Sequence, residues 1–107
     1  MTKEDGVWAI VMFDLPTHTE QQRHAANQFR KLLKANGFSM FQYSVYVRYA
    51  ITVAAHQRQH QAIKHGLPQD GHVVILLLSD HAWARAQRFT GKRPEPPPDE
   101  PGQLTIF

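Results

Sequence analysis

Val7-Trp8-Ala9-Ile10-Val11-Met12-Phe13-Asp14-Leu15-Pro16 is the stretch on which the fold turns. Its apolar residues run from Val7 to Phe13 without alternation, which predicts a short strand buried on both faces. Asp14-Leu15-Pro16 then stops it. A carboxylate at the mouth of a buried strand needs a compensating partner, because a desolvated charge is costly. A metal ion is one such partner. The alternative is that Asp14 only caps the turn before Pro16, a common use of Asp. The local sequence leaves both open.

Working outward, Thr17 and Thr19 are N-cap candidates, and Thr19 with Gln22 makes a capping box. A helix is predicted from there to Asn36, with Ala25, Ala26, Phe29, Leu32 and Leu33 on one face. Gly37 stands where a helix C-terminus wants a residue at positive φ. Phe38–Tyr49 is β-prone throughout and long for one strand. Polar Gln42 and Ser44 around Tyr43 suggest a tight reversal between two short strands, with a single bent strand as the alternative. Thr52 caps a second helix over about Val53–His65, and Asp70-Gly71 turns the chain into His72–Leu78. That strand also lacks alternation and is expected to be buried on both faces. Ser79 or Asp80 caps a short helical segment reaching about Phe89, with Trp83 on it. Lys92-Arg93-Pro94 opens a linker that holds five of the seven prolines and should be extended. Gln103–Phe107 reads as a last strand.

The order is β-α-β-β-α-β plus an extra C-terminal strand. It predicts an α+β, ferredoxin-like domain over residues 1–90, followed by a Pro-rich linker and strand over 91–107. Two helices cover only one face of such a sheet, yet the first and fourth strands offer no polar face. A second copy is the simplest cover, so a homodimer is expected. The terminal Leu104-Thr105-Ile106-Phe107 would then pair with the partner's sheet edge.

The totals narrow the chemistry. The 107 residues suit one domain with one core. With no cysteine there is no disulfide, thiolate metal site or Cys nucleophile, which fits a reducing cytoplasm. No run approaches a membrane span, and Met1-Thr2-Lys3-Glu4-Asp5 does not open a signal peptide, so a cytoplasmic protein without membrane contact is expected. Net charge is +3, but residues 1–93 carry +6 and the last fourteen carry −3. The body suits a polyanion.

One Asp14 is too little charge to hold Mg²⁺ tightly. A two-fold axis near the first strand would bring two copies of Asp14 together, and a divalent cation between them would relieve their repulsion. Asp80 is better explained as a helix cap. Arg23 and Arg30, seven apart, share a helix face. With Lys31, Lys34, Arg48, Arg58 and Lys64 they can contact phosphates, although a solvated basic face explains any one of them as well. His56 and His60 stand i,i+4 without the Glu of a metalloprotease helix, and are expected at the surface or on phosphates. Phe41, Tyr43, Tyr46 and Tyr49 are assigned to core and dimer packing rather than base stacking. Ser44 lacks a convincing base.

Met12-Phe13-Asp14-Leu15-Pro16, Phe29-Arg30-Lys31-Leu32-Leu33, Gly37-Phe38, Gln42-Tyr43-Ser44-Val45-Tyr46 with Arg48, and Leu67-Pro68 closely resemble one family. It is the small CRISPR-associated Cas-two family of prokaryotic virus defence, and the similarity covers about residues 7–90. The resemblance implies a ferredoxin-like homodimer acting as a Mg²⁺-dependent endonuclease on RNA or DNA, with Asp14 as metal ligand. It places Arg30 and Ser44 at further site positions, with Arg23 a looser match. It also implies a role in spacer acquisition, where a dimer bridges CRISPR integrase dimers and binds double-stranded DNA without needing its own catalysis. A non-enzymatic scaffold and a toxin-like ribonuclease are the alternatives. The acidic Pro94–Pro101 segment departs from the family pattern.

Overall fold

The computed structural model describes residues 6–96. The chain runs β1 (Val7–Asp14), α1 (Glu20–Ala35), β2 (Ser39–Gln42), β3 (Val45–Ala50), a 3₁₀ turn (Ala54–His56), α2 (Gln57–His65), β4 (His72–Ser79), α3 (Asp80–Ala84), β5 (Arg88–Thr90) and β6 (Arg93–Glu95). The first four strands form one antiparallel sheet in the order β2-β3-β1-β4. This α+β topology is compatible with the ferredoxin-like expectation, with β1 central as its apolar run demands.

β1 separates two cores. Ala9, Val11 and Phe13 face the helices and pack with Phe29 and Leu33 of α1, Ile63 of α2, Phe38 and Tyr46. Phe29 meets Phe13 edge-on, with ring centroids 5.2 Å apart. Trp8 and Ile10 face the other way, onto Val47 and Trp83. α1 buries Ala26, Phe29 and Leu33, the 3-then-4 spacing of one helical stripe. Its capping box is present, since Thr19 Oγ1 accepts from Gln22 N at 3.0 Å and Gln22 Oε1 accepts from Thr19 N at 3.1 Å. At the other end Gly37 has φ +85°. Phe38 N donates to Leu33 O and Gly37 N to Lys34 O, which closes the helix in a Schellman motif. The predicted reversal between β2 and β3 is a two-residue turn at Tyr43-Ser44, with Ser44 at φ 68°.

Four expectations give way. Among the described residues β4 pairs with β1 alone, and its apolar run is not buried on both faces: Val74, Leu76 and Leu77 are all exposed. A run of aliphatics reports hydrophobicity, not which layers cover the two faces of its strand. α3 stops at Ala84, well short of Phe89, and the chain turns into a β5–β6 hairpin. Arg93–Glu95, expected to begin an extended linker, is β6 and pairs with β5. The second face of the sheet is not left wholly to a second copy either. Trp83 folds back over it, stacked on Trp8 with centroids 4.7 Å apart and edge-on to Phe41. Ser79 caps α3 through Ala82 N, while Asp80 Oδ1 accepts from Trp8 Nε1 at 2.8 Å. The expected strand Gln103–Phe107 lies outside the described residues.

Candidate functional site

Asp14 is the last residue of β1. Along that strand Trp8, Ile10, Met12 and Asp14 share the face away from α1 and α2, since successive strand residues alternate. Asp14 is exposed, and among the described residues its carboxylate has no hydrogen-bond or ion-pair partner. The premise of a desolvated charge needing compensation therefore does not apply within one chain. Its register partner on β4 is His72, also exposed. Sequence reasoning missed His72, because strand register is not written in local composition. Gly71, at φ +93°, makes the approach possible: a Cβ there would lie 2.6 Å from Asp14 O.

At the same end of the sheet, Phe13 N donates to Ser44 O at 3.1 Å, which ties the β2–β3 turn to the end of β1. Arg30 reaches the turn from α1. Its guanidinium lies 5.7 Å from the Phe13 ring centre and 5.2 Å from that of Tyr43, within cation–π range of both. Its Nη2 donates to Tyr43 Oη at 3.5 Å and its Nη1 to Asn27 Oδ1 at 3.4 Å. Asp14, Arg30 and Ser44 are thus gathered at one end of the sheet, with Arg30 on the helix side and Asp14 at a register position of the opposite face. Tyr43 is 80% exposed, so it takes no part in the core of this chain, against that half of the core-and-dimer expectation. Tyr46, at 1%, does lie in the core. A turn signalled by Gln42 and Ser44 puts the residue between them at its tip, so a signal for Tyr43's exposure was present.

The other basic candidates part company. Arg23 Nη1 donates to the carbonyls of Thr17 and His18 and so holds the loop that follows Asp14. Lys31 and Lys34 are exposed on α1 and free to meet phosphates. Arg48 is not at this end. It pairs in register with Ala9, five residues or roughly 17 Å along β1 from Asp14. There Arg48 Nη1 donates to His56 Nδ1 at 2.9 Å. His56 is not a surface histidine: it is fully buried, and its Nε2 donates to Val7 O at 2.9 Å. Those two bonds assign a neutral Nε2–H tautomer. Burial holds its pKa below 6.5, the Arg48 charge pushes the same way, and the Val7 carbonyl works against both.

Among the described residues no three His, Cys, Asp or Glu side chains gather into a metal-binding group. Among the described residues one chain offers the Asp14 carboxylate here with the His72 imidazole at its register position, which is an incomplete set for Mg²⁺. A second copy facing the same side of the sheet would double it. Among the described residues no helix is long and apolar enough to cross a membrane.

The sequence family described as CRISPR associated protein Cas2 matches residues 7–86, which span β1 to just beyond α3. A protein of Flavobacterium psychrophilum is 35% identical over 102 residues, covering 95% of this chain and 89% of that protein. One of Parvibaculum lavamentivorans is 37% identical over 101 residues, covering 94% of this chain and all of its own length. One of Paracidovorax avenae is likewise 37% identical, covering 94% of each chain. All three carry the name CRISPR-associated endoribonuclease Cas2. The Asp14 strand, the Arg30 helix and the Tyr43-Ser44 turn all fall inside the matched region, and the chain belongs to the CRISPR-associated Cas2 family.

Proposed function

We propose that this protein is a divalent-metal-dependent endonuclease acting on RNA as a two-fold dimer, in which the Asp14 carboxylates of both copies hold one Mg²⁺ ion. The observation that carries it is positional. Asp14 ends the central strand on the same sheet face as Met12, Val74 and Leu76, which are 37%, 52% and 43% exposed. A copy laid on those side chains across a two-fold axis sets like carboxylates near each other, and a cation offsets their repulsion. The endoribonuclease name carried by the relatives supports the reaction class.

The residues divide the work. Asp14 ligates the ion, which when bound polarises a phosphodiester and lowers the pKa of an attacking water. Arg30, whose charge has no carboxylate partner among the described residues, offers N–H donors to a phosphate oxygen as negative charge builds on it. Lys31 and Lys34 on the same helix draw the polyanion in. Ser44 carries no base at its hydroxyl among the described residues. Its contribution is the carbonyl that holds the end of β1.

Cleavage of single-stranded RNA and of DNA with Mg²⁺, comparing wild type with Asp14→Asn, tests the reading. The expected loss is about 100-fold or more on RNA. Equal rates in the two proteins would remove Asp14 from the chemistry. A second reading, a non-enzymatic dimer that binds double-stranded DNA between CRISPR integrase dimers during spacer acquisition, is favoured by the lack, among the described residues, of three metal-ligating side chains gathered in one chain. In that case Asp14→Asn leaves spacer insertion unchanged.

A further inference from the structure

We infer that Tyr43 and Arg30 together form a stacking site for one unstacked nucleobase of the nucleic acid, beside the end of β1 that carries Asp14. The inference deepens the nuclease reading by assigning a residue that selects unpaired strand.

A tyrosine that is 80% exposed at the tip of a two-residue turn leaves nearly its whole ring in water, where an aromatic contributes nothing to the core. The ring is not adrift, however. Arg30 holds it from the α1 side, with the guanidinium carbon 5.2 Å from the ring centre and Nη2 on Oη at 3.5 Å. The same guanidinium lies 5.7 Å from the centre of the Phe13 ring, so the cation is held by two rings. The turn is itself anchored by the Phe13 N to Ser44 O bond. An aromatic plane braced from one side and open to solvent on the other is what a splayed base stacks upon, and every base has a suitable face. The guanidinium behind it suits the phosphate that follows the base. In a duplex both faces of each base are already stacked on neighbours, so the platform offers nothing to paired strand except at frayed ends.

The site lies close to the proposed chemistry. Tyr43 and Asp14 each sit one residue away from the hydrogen bond between Phe13 and Ser44. A base seated on Tyr43 therefore brings its flanking phosphodiester toward the end of β1. Whether that bond is then cut depends on Asp14; whether the base is held depends on Tyr43.

Binding without catalysis separates the two. Fluorescence anisotropy in excess EDTA compares wild type, Tyr43→Ala and Tyr43→Phe on a labelled RNA 12-mer, as single strand and as duplex. Tyr43→Ala is expected to weaken single-strand binding about ten-fold and duplex binding less than about two-fold, the range for one base–aromatic stack. Tyr43→Phe keeps the ring and is expected to stay within about two-fold of wild type on both. Equal losses on single strand and duplex, no loss at all, or absence of single-strand binding by wild type would overturn the stacking site. Circular dichroism of Tyr43→Ala checks that the fold survives, and a Tyr43→Leu variant gives the same reading if it does not. Single-strand selectivity in a protein that never cleaves would sink the nuclease proposal and leave this one standing. Cleavage that ignores Tyr43 would do the reverse.

Discussion

At the residue scale, His56 shows how burial turns an ordinary side chain into a determinant of pH behaviour. Its ring is enclosed between Arg48 and the Val7 carbonyl, and desolvation disfavours the imidazolium. His60, one helical turn on, is lowered as well, first by burial and then by the charges of His56, Lys64 and Arg48. The unfolded chain takes up protons at these positions more readily than the folded one. Stability is therefore full above about pH 6.5 and falls as pH drops through that value toward the lowered folded-state pKa. Thermal melts between about pH 7.5 and 5.5 should show a declining midpoint, and His56→Gln should flatten the decline. A wild-type midpoint independent of pH over that window would refute the assignment. The i,i+4 spacing of His56 and His60 was visible in the sequence, but their burial was not: the acceptor that fixes His56 belongs to a strand forty-nine residues away.

At the scale of elements, the junction from the Asp70-Gly71 turn into β4 sets the geometry beside Asp14. Gly71 sits at φ +93°, and a Cβ would meet Asp14 O at 2.6 Å and Leu15 Cδ2 at 2.8 Å. Gly71→Ala should therefore destabilise the fold by about 1–3 kcal/mol, from backbone strain together with the collision. Urea denaturation measures it, and an unchanged midpoint would mean that the β1–β4 ends are not pinned. α1 presents the contrasting case. Its capping box, its buried stripe and its Schellman close all depend on residues within a few positions of one another, and each matches the expectation. The α3 segment failed for the same reason in reverse. Arg85 and Ala86 follow a short apolar stretch that reads as helix, but pairing of Arg88 with Glu95 and of Phe89 with Pro94 wins over local propensity. Their ion pair at 3.6 Å adds to the hairpin.

At the scale of the whole molecule, the face that carries Asp14 is divided. Trp83 covers the Trp8 end, and the other corner is left as Met12, Val74 and Leu76, with Asp14 and His72 at its rim. An exposed aliphatic corner of this kind favours association. Leu76→Glu places a charge on this patch without disturbing the buried side of the sheet. Wild type should sediment as a dimer at micromolar concentration. Leu76→Glu should shift to monomer and lose metal-dependent cleavage in parallel, while its circular dichroism stays that of wild type. A monomeric wild type would remove the paired-carboxylate site, and a monomeric variant with full cleavage would show that one chain suffices.

Sequence alone determined what is decided within a few residues: the central strand at Val7–Phe13, the capped helix that follows and the family likeness those motifs carry. These rest on backbone propensity, capping and side-chain period, whose energies involve close neighbours along the chain. Tertiary structure decided the rest. Two equally apolar runs, Val7–Phe13 and Val73–Leu78, end in different surroundings: among the described residues the first lies between β3 and β4 and is largely covered on both faces, whereas the second pairs with β1 alone and bares Val74, Leu76 and Leu77. Arg48 donates to a buried His56 at the far end of β1 from Asp14, and Tyr43 stands in solvent on Arg30. Each of these depends on register and layer contacts between residues far apart in sequence, and such contacts gain their energy only once the whole sheet has closed.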